Sequence, residues 1–136
     1  IANSDQYINW NSSKAFYDFN SKNLDGAILT FEAIHPKWSY AKCDKEGFVT
    51  EVAEKKVISK NATVGVYYWK HGSDYVKSAE EMIKKNIRVN NEFYVCPVYN
   101  EFLMKNKKIK IHKVDKMWGL GTPEDLNNFI QKMKFD

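Results

Sequence analysis

The chain has 136 residues, the size of one domain or part of one. Hydrophobic residues make up 43% and aromatic residues 15%, enough for a packed core, which excludes an intrinsically disordered chain. The net charge of +4, from 21 Lys and Arg against 17 Asp and Glu, suits a protein that meets phosphates and equally an ordinary solvated surface. No apolar run approaches the roughly 20 residues that span a membrane. Ile1 to Asp5 lacks the basic-then-apolar pattern of a secretory signal, and there is no initiator Met. Cys43 and Cys96 show no Cys-x-x-Cys spacing and the three histidines are scattered, so zinc is not expected and the histidines read as solvated. Two lone thiols fit a cytoplasmic, reducing location.

Ile1 and Ala2 read as the end of a buried strand that runs into a polar turn. Ser12 or Ser13 is expected to cap a short helix with Phe16 and Phe19 on one face. Asp25-Gly26 is a turn, and Ala27 to Ala33 a buried strand. Trp38 to Cys43 and Phe48 to Val52 form a hairpin around Asp44-Lys45-Glu46-Gly47, and Thr63 to Trp69 is a third strand rich in β-branched and aromatic residues. Ser73 caps a helix with Val76, Ala79, Met82 and Ile83 inward, and Lys77, Glu81, Lys84 and Lys85 on a solvated face. Asn90-Asn91 is a turn, and a helix begins near Pro97 with Val98, Phe102 and Leu103. Lys107 to Val114 alternates as an edge strand, whose lysines guard against edge pairing better than they fit a nucleic-acid strip. Thr122-Pro123-Glu124-Asp125 starts a helix with Leu126, Phe129, Ile130 and Met133 as its apolar stripe. The sum is a mixed α/β unit with a hairpin insertion and flanking helices.

Four places carry chemistry. Asp5, just past a strand-like start, is either a carboxylate at a strand tip over a crevice, able to hold a metal ion, or a turn or cap residue. In Glu54-Lys55-Lys56, after the hairpin, an ammonium can meet a sugar phosphate and a carboxylate can accept from hydroxyls, or the trio is a surface charge cluster. Glu92, beside the Asn90-Asn91 turn, can bind hydroxyls or sit in a helix first turn. Trp118-Gly119-Leu120-Gly121-Thr122-Pro123 allows close backbone approach or serves a tight strand-to-helix turn alone.

In order and spacing, these motifs resemble the second half of the sugar-phosphate nucleotidyltransferases, the glucose-1-phosphate thymidylyltransferase type and its relatives, from Ile1 to Phe129. Asp5 is similar to the family's strand-end metal Asp, and His35-Pro36-Lys37-Trp38-Ser39-Tyr40 to its D-P-x-x-Y-G-V segment. Asp44 to Gly47 resembles the hairpin turn, Glu54-Lys55-Lys56 the E-K-P motif, and Asn61 to Tyr67 the N-x-A-x-x-G-x-Y strand. Asn91-Glu92 resembles G-E, and Met117 to Glu124 the closing W-x-D-x-G-T-P-E. The resemblance implies a Rossmann-like nucleotidyltransferase core. In it residues 1–136 are the carboxy-terminal, sugar-phosphate-binding part, without the amino-terminal nucleotide-binding segment. It implies Lys55 as the catalytic, phosphate-holding group, Glu54, Glu92, Ser39 and Thr63 around the substrate, and Asp5 on Mg²⁺. The implied partners are a sugar phosphate and a nucleoside triphosphate, with no nucleic acid or membrane and a homo-oligomer left open. The family's second metal Asp falls on Gly119, so a nearby acid such as Asp115 is expected to substitute, or the metal has fewer protein ligands, or activity is lost. The Pro of E-K-P is Lys56, a second candidate phosphate contact.

The implied reaction is in-line attack of the acceptor phosphate on the α-phosphorus of a triphosphate, with pyrophosphate leaving, for surface polysaccharide synthesis. It needs positioning and charge neutralisation, not a protein nucleophile. The Gly-rich loop that cradles a triphosphate is not found in the sequence, so the chain alone is expected to turn over negligibly. Two other readings remain: a metal-dependent glycosyltransferase, which leaves Glu54-Lys55 unexplained, and a non-catalytic sugar-phosphate-binding module.

Overall fold

The computed structural model describes residues 1–133, and the last three residues of the expected 1–136 unit lie outside them. In chain order the elements are β1 (Gln6–Asn9), α1 (Ser12–Ser21), β2 (Gly26–Glu32), β3 (Tyr40–Cys43), β4 (Val49–Ala53) and β5 (Asn61–Trp69). They continue with α2 (Gly72–Lys84), α3 (Val98–Leu103), β6 (Ile109–Lys113), β7 (Lys116–Gly119) and α4 (Pro123–Lys132). A mixed five-stranded sheet has the order β4-β3-β5-β2-β6, with β2 and β6 parallel and the other pairs antiparallel. A bridge between Phe48 and Lys110 joins its two outer edges, so the sheet curls on itself. β1 and β7 form a separate antiparallel ribbon.

β2 is buried on both faces, which explains its unbroken apolar run. Ile28 points into a core with Val52, Tyr67, Tyr99, Phe102 and Ile109, whereas Ala27 and Leu29 point into a second core with Ala15, Phe19, Leu24 and Val64. α2 and α3 cover the first face and α1 the second. The Tyr99 hydroxyl donates to the carbonyls of Ala27 and Tyr68, at 3.2 and 2.8 Å, and satisfies a phenol that is otherwise enclosed by apolar groups.

Several local expectations are corrected. Ile1 is 53% exposed, not buried, although residues 1–3 do run antiparallel to β5: Ala2 bridges Val66, and Asn3 N–H donates to the Gly65 carbonyl at 2.8 Å. Gln6–Asn9, for which the sequence pattern predicts no strand, is a strand because β7 supplies its partner. Asn11, not Ser12 or Ser13, caps α1, its side chain accepting from Lys14 N–H at 2.9 Å. α2 starts at Gly72 after His71 without a side-chain cap, so Ser73 is inside the helix. Its inward face is Tyr75, Ser78, Ala79 and Met82, while Val76 and Ile83 are each 51% exposed. Tyr75 turns the helix this way by packing edge-on against Trp69, 5.3 Å between ring centres. Two of its charges are not simply solvated, since Glu81 pairs with Lys105 and Lys85 pairs with the buried Glu101. In α4 Phe129 is buried, but Leu126 and Ile130 are 42% and 54% exposed. His112 is half-buried against Phe19 and Trp10, and burial lowers its pKa, so the solvated reading does not hold for it.

The outer strand β4 is pinned by a side chain, not by a further strand. Val52 N–H donates to Asn100 Oδ1 at 3.0 Å, and Asn100 Nδ2 donates to the Val52 carbonyl at 2.8 Å. Asn100→Ala removes both bonds and leaves two strand groups without protein partners. The loss is expected to be ~2 kcal/mol, with Tm lower by roughly 6 °C. Thermal and urea unfolding followed by circular dichroism check this, and a Tm change under about 1 °C contradicts it.

Candidate functional site

β5 organises the site. Gly65 has φ +75°, outside the range of an extended strand, and a Cβ built there would lie 2.3 Å from Asn3 Nδ2.

 At +75° Gly65 is left-handed, a conformation that glycine adopts freely and other residues rarely do. It sits where the pairing with β2 slips: Ile28 faces Tyr67, yet Thr30 faces Thr63. This bulge makes room for Asn3 and Gln6 to lie directly on the strand. The chain then leaves towards Asp5, whose carbonyl accepts from Leu120 N–H at 2.8 Å.

Two neighbouring cavities result. The first, about 380 Å³, is walled by Ser39 and Trp38 before β3, Glu54 and Lys55 after β4, Thr63 on β5, and Phe93 and Tyr94 from the loop before α3. The second, about 300 Å³, holds Asp5 together with Gly119, Gly121, Thr122 and Asp125. Asn3, Gln6, Lys37 and Trp38 line both, so Asp5 and Lys55 stand on either side of one shared wall.

In the first cavity the Ser39 hydroxyl donates to the Glu54 carboxylate. Burial raises the Glu54 pKa, and the Ser39 bond and the Lys55 charge oppose that rise. Lys55 has a left-handed backbone, φ +52°, uncommon for a residue with a side chain. Its exposed ammonium donates to the Tyr94 hydroxyl at 2.7 Å, and this bond is the largest cause of its raised pKa. Thr63 Oγ1 lies 3.0 Å from the Tyr67 hydroxyl. Glu92 does not itself line the cavity, but its carboxylate accepts from the hydroxyl of Tyr94, which does, at 2.5 Å. Lys56 is exposed and does not line the cavity. Cys96 lines the same cavity, but burial pushes its thiol up to about 12, too high for a nucleophile at neutral pH.

In the second cavity glycines leave room for acids. A Cβ at Gly121 would lie 2.6 Å from Asp5 Oδ2, and one at Gly119 would lie 3.6 Å from Asp125 Oδ2. The acid beside Gly119 is therefore Asp125, in the first turn of α4, and not Asp115, which lines a separate cavity with Glu32 and Lys116. Among the described residues no group of three or more His, Cys, Asp or Glu is gathered for a metal. Two carboxylates with neighbouring hydroxyl and amide oxygens nevertheless fit Mg²⁺, which commonly takes one or two carboxylates and completes its shell with water and substrate phosphate. Tyr94, Lys37 and Asp125 were missed in the sequence. Lys37 and Tyr94 stand beside motifs already singled out, whereas Asp125 is hidden by its role in the helix start, where its carboxylate accepts from Thr122.

Because Glu54 ionises less readily when folded, stability falls as pH rises from the ordinary carboxylate range through its raised pKa. Glu54→Gln keeps an acceptor for Ser39 and removes the buried charge. The variant is expected to match the wild type at about pH 4 and to melt roughly 3 °C higher at about pH 8. Melting curves across that range check it, and a gap that is widest in acid contradicts it.

No family model and no curated protein matches the chain. Solved structures do. A nucleoside-diphosphate-sugar pyrophosphorylase from Vibrio cholerae matches with 26% identity and a TM-score of 0.76, over 83% of this chain and 49% of that one. A Bacillus anthracis protein assigned as a glucose-1-phosphate thymidylyltransferase, solved with sucrose, matches with 16% identity and a TM-score of 0.68, over 97% of this chain and 54% of that one. The chain thus spans about half the length of each, and over that half it has the α/β nucleotidyltransferase fold.

Proposed function

We propose that the chain is the sugar-phosphate-binding part of a nucleotidyltransferase that joins a nucleoside triphosphate to a sugar 1-phosphate, releasing pyrophosphate and an NDP-sugar for surface polysaccharide synthesis. The observation that carries this reading is the wall of Asn3, Gln6, Lys37 and Trp38 that the Lys55 cavity and the Asp5 cavity share, which puts an ammonium and a carboxylate in adjoining cavities. Lys55 holds the sugar phosphate. Glu54 and Glu92 accept from sugar hydroxyls, with Ser39 and Thr63 as further polar contacts. Asp5, with Asp125, holds Mg²⁺, which when bound neutralises phosphate charge. The protein's own contribution is placement: the acceptor phosphate is held in line and the exposed lysine offsets its charge. The triphosphate side of the reaction belongs to sequence that the solved neighbours carry beyond their match to this chain.

A groove of about 680 Å³ supports that division. It is walled by Ile1, Tyr7, Trp10, Phe16, Trp69 and Tyr75, an apolar face that further polypeptide could cover. Of the lysines around β6, Lys105 pairs with Glu81, Lys107 with Asp25, and Lys110 bonds the Glu46 carbonyl.

Calorimetric titration with glucose 1-phosphate tests the proposal. The chain is expected to bind it, and Lys55→Ala to weaken binding about tenfold. A folded chain that shows no heat of binding up to about 10 mM ligand contradicts the reading, since that limit leaves less than about 3 kcal/mol of affinity.

A further inference from the structure

We propose that Tyr94 is a positioning residue of the sugar-phosphate site, a phenol spacer that holds Lys55 and Glu92 apart and fixes the span between them. The inference rests on the function proposed above. Lys55 and Glu92 come from different loops and carry opposite charges, so in direct contact each would neutralise the other. The Tyr94 hydroxyl stands between them: it accepts from the Lys55 ammonium and donates its single proton to the Glu92 carboxylate. That leaves two ammonium protons for a phosphate and the second carboxylate oxygen for a sugar hydroxyl. The ring adds a second hold, since the Lys55 ammonium lies 4.7 Å from its centre.

The frame around Tyr94 stands without its hydroxyl. Asn90 and Asn91 have φ of +48° and +63°, the left-handed pair of a tight two-residue turn. Val89 and Glu92 close the turn by exchanging backbone bonds of 3.0 and 2.9 Å. Arg88 braces it from outside, stacked 3.8 Å from the Phe93 ring centre and donating to the Asn91 carbonyl at 3.1 Å. Removing the hydroxyl therefore frees the two charged groups and spares the loop.

The test is calorimetry of Tyr94→Phe with two probes. Glucose 1-phosphate reaches both groups, and its affinity is expected to fall about tenfold; inorganic phosphate meets Lys55 alone, and its affinity is expected to fall less than about threefold. Tyr94→Leu, which also removes the hydroxyl, is expected to give the same pattern and stands in if Tyr94→Phe does not fold. Equal losses for both probes, or no loss for either, overturn the spacer and leave the proposed function standing. A wild-type chain that binds neither probe overturns the proposed function, and the role of Tyr94 with it.

Discussion

The antiparallel pairing of residues 1–3 with the bulged part of β5 is the contact on which the site depends. Without it Asp5 would have no fixed relation to the hairpin that carries Glu54 and Lys55. The pairing needs Gly65, because any Cβ there would occupy the space of the Asn3 amide. One glycine in a strand thus links backbone geometry to the side chains of two cavities. Bulges of this kind disrupt regular pairing locally and re-aim what lies beside them.

The electrostatics follow from that geometry. Glu54 is partly buried and held by Ser39, whereas Lys55 is exposed and held by Tyr94. A buried acceptor beside an exposed cation suits a ligand with hydroxyls at one end and a phosphate at the other: hydroxyls gain from a desolvated carboxylate, and a phosphate can remain partly hydrated. At the second cavity, the carboxylate beside Gly119 comes from Asp125, at a helix start. The carboxylate also serves Thr122, so the capping bond and the proposed ion contact draw on the same group.

Much of the fold was legible because the strands β2, β3, β4 and β5 carry strong apolar and β-branched patterns, and Thr122-Pro123 is an unambiguous helix start. What was not legible depended on partners distant in sequence. Gln6–Asn9 has no strong strand pattern and becomes a strand only because Lys116–Gly119 lies beside it. The inward face of α2 could not be read from Val76 and Ile83, since Trp69 decides it by taking Tyr75. The site divides in the same way. Glu54, Lys55 and Glu92 were visible as charges beside turns, but the phenol between two of them was not, because its role exists only once the two loops meet.

The two cores differ in how far helices cover them. α2 and α3 close one face of the sheet, and the Lys55 cavity rests on that closed side, next to the buried Cys96 and Tyr67. The other side is less complete: α1 covers Phe19 and Leu29, yet both still line the large groove beside Tyr7, Trp10 and Phe16. Within that region Gln6 Nε2 and Trp69 Nε1 are buried donors without a protein acceptor. On the proposed reading, acceptor binding depends on the side of the sheet that α2 and α3 close, where the Lys55 cavity is backed by packed core side chains.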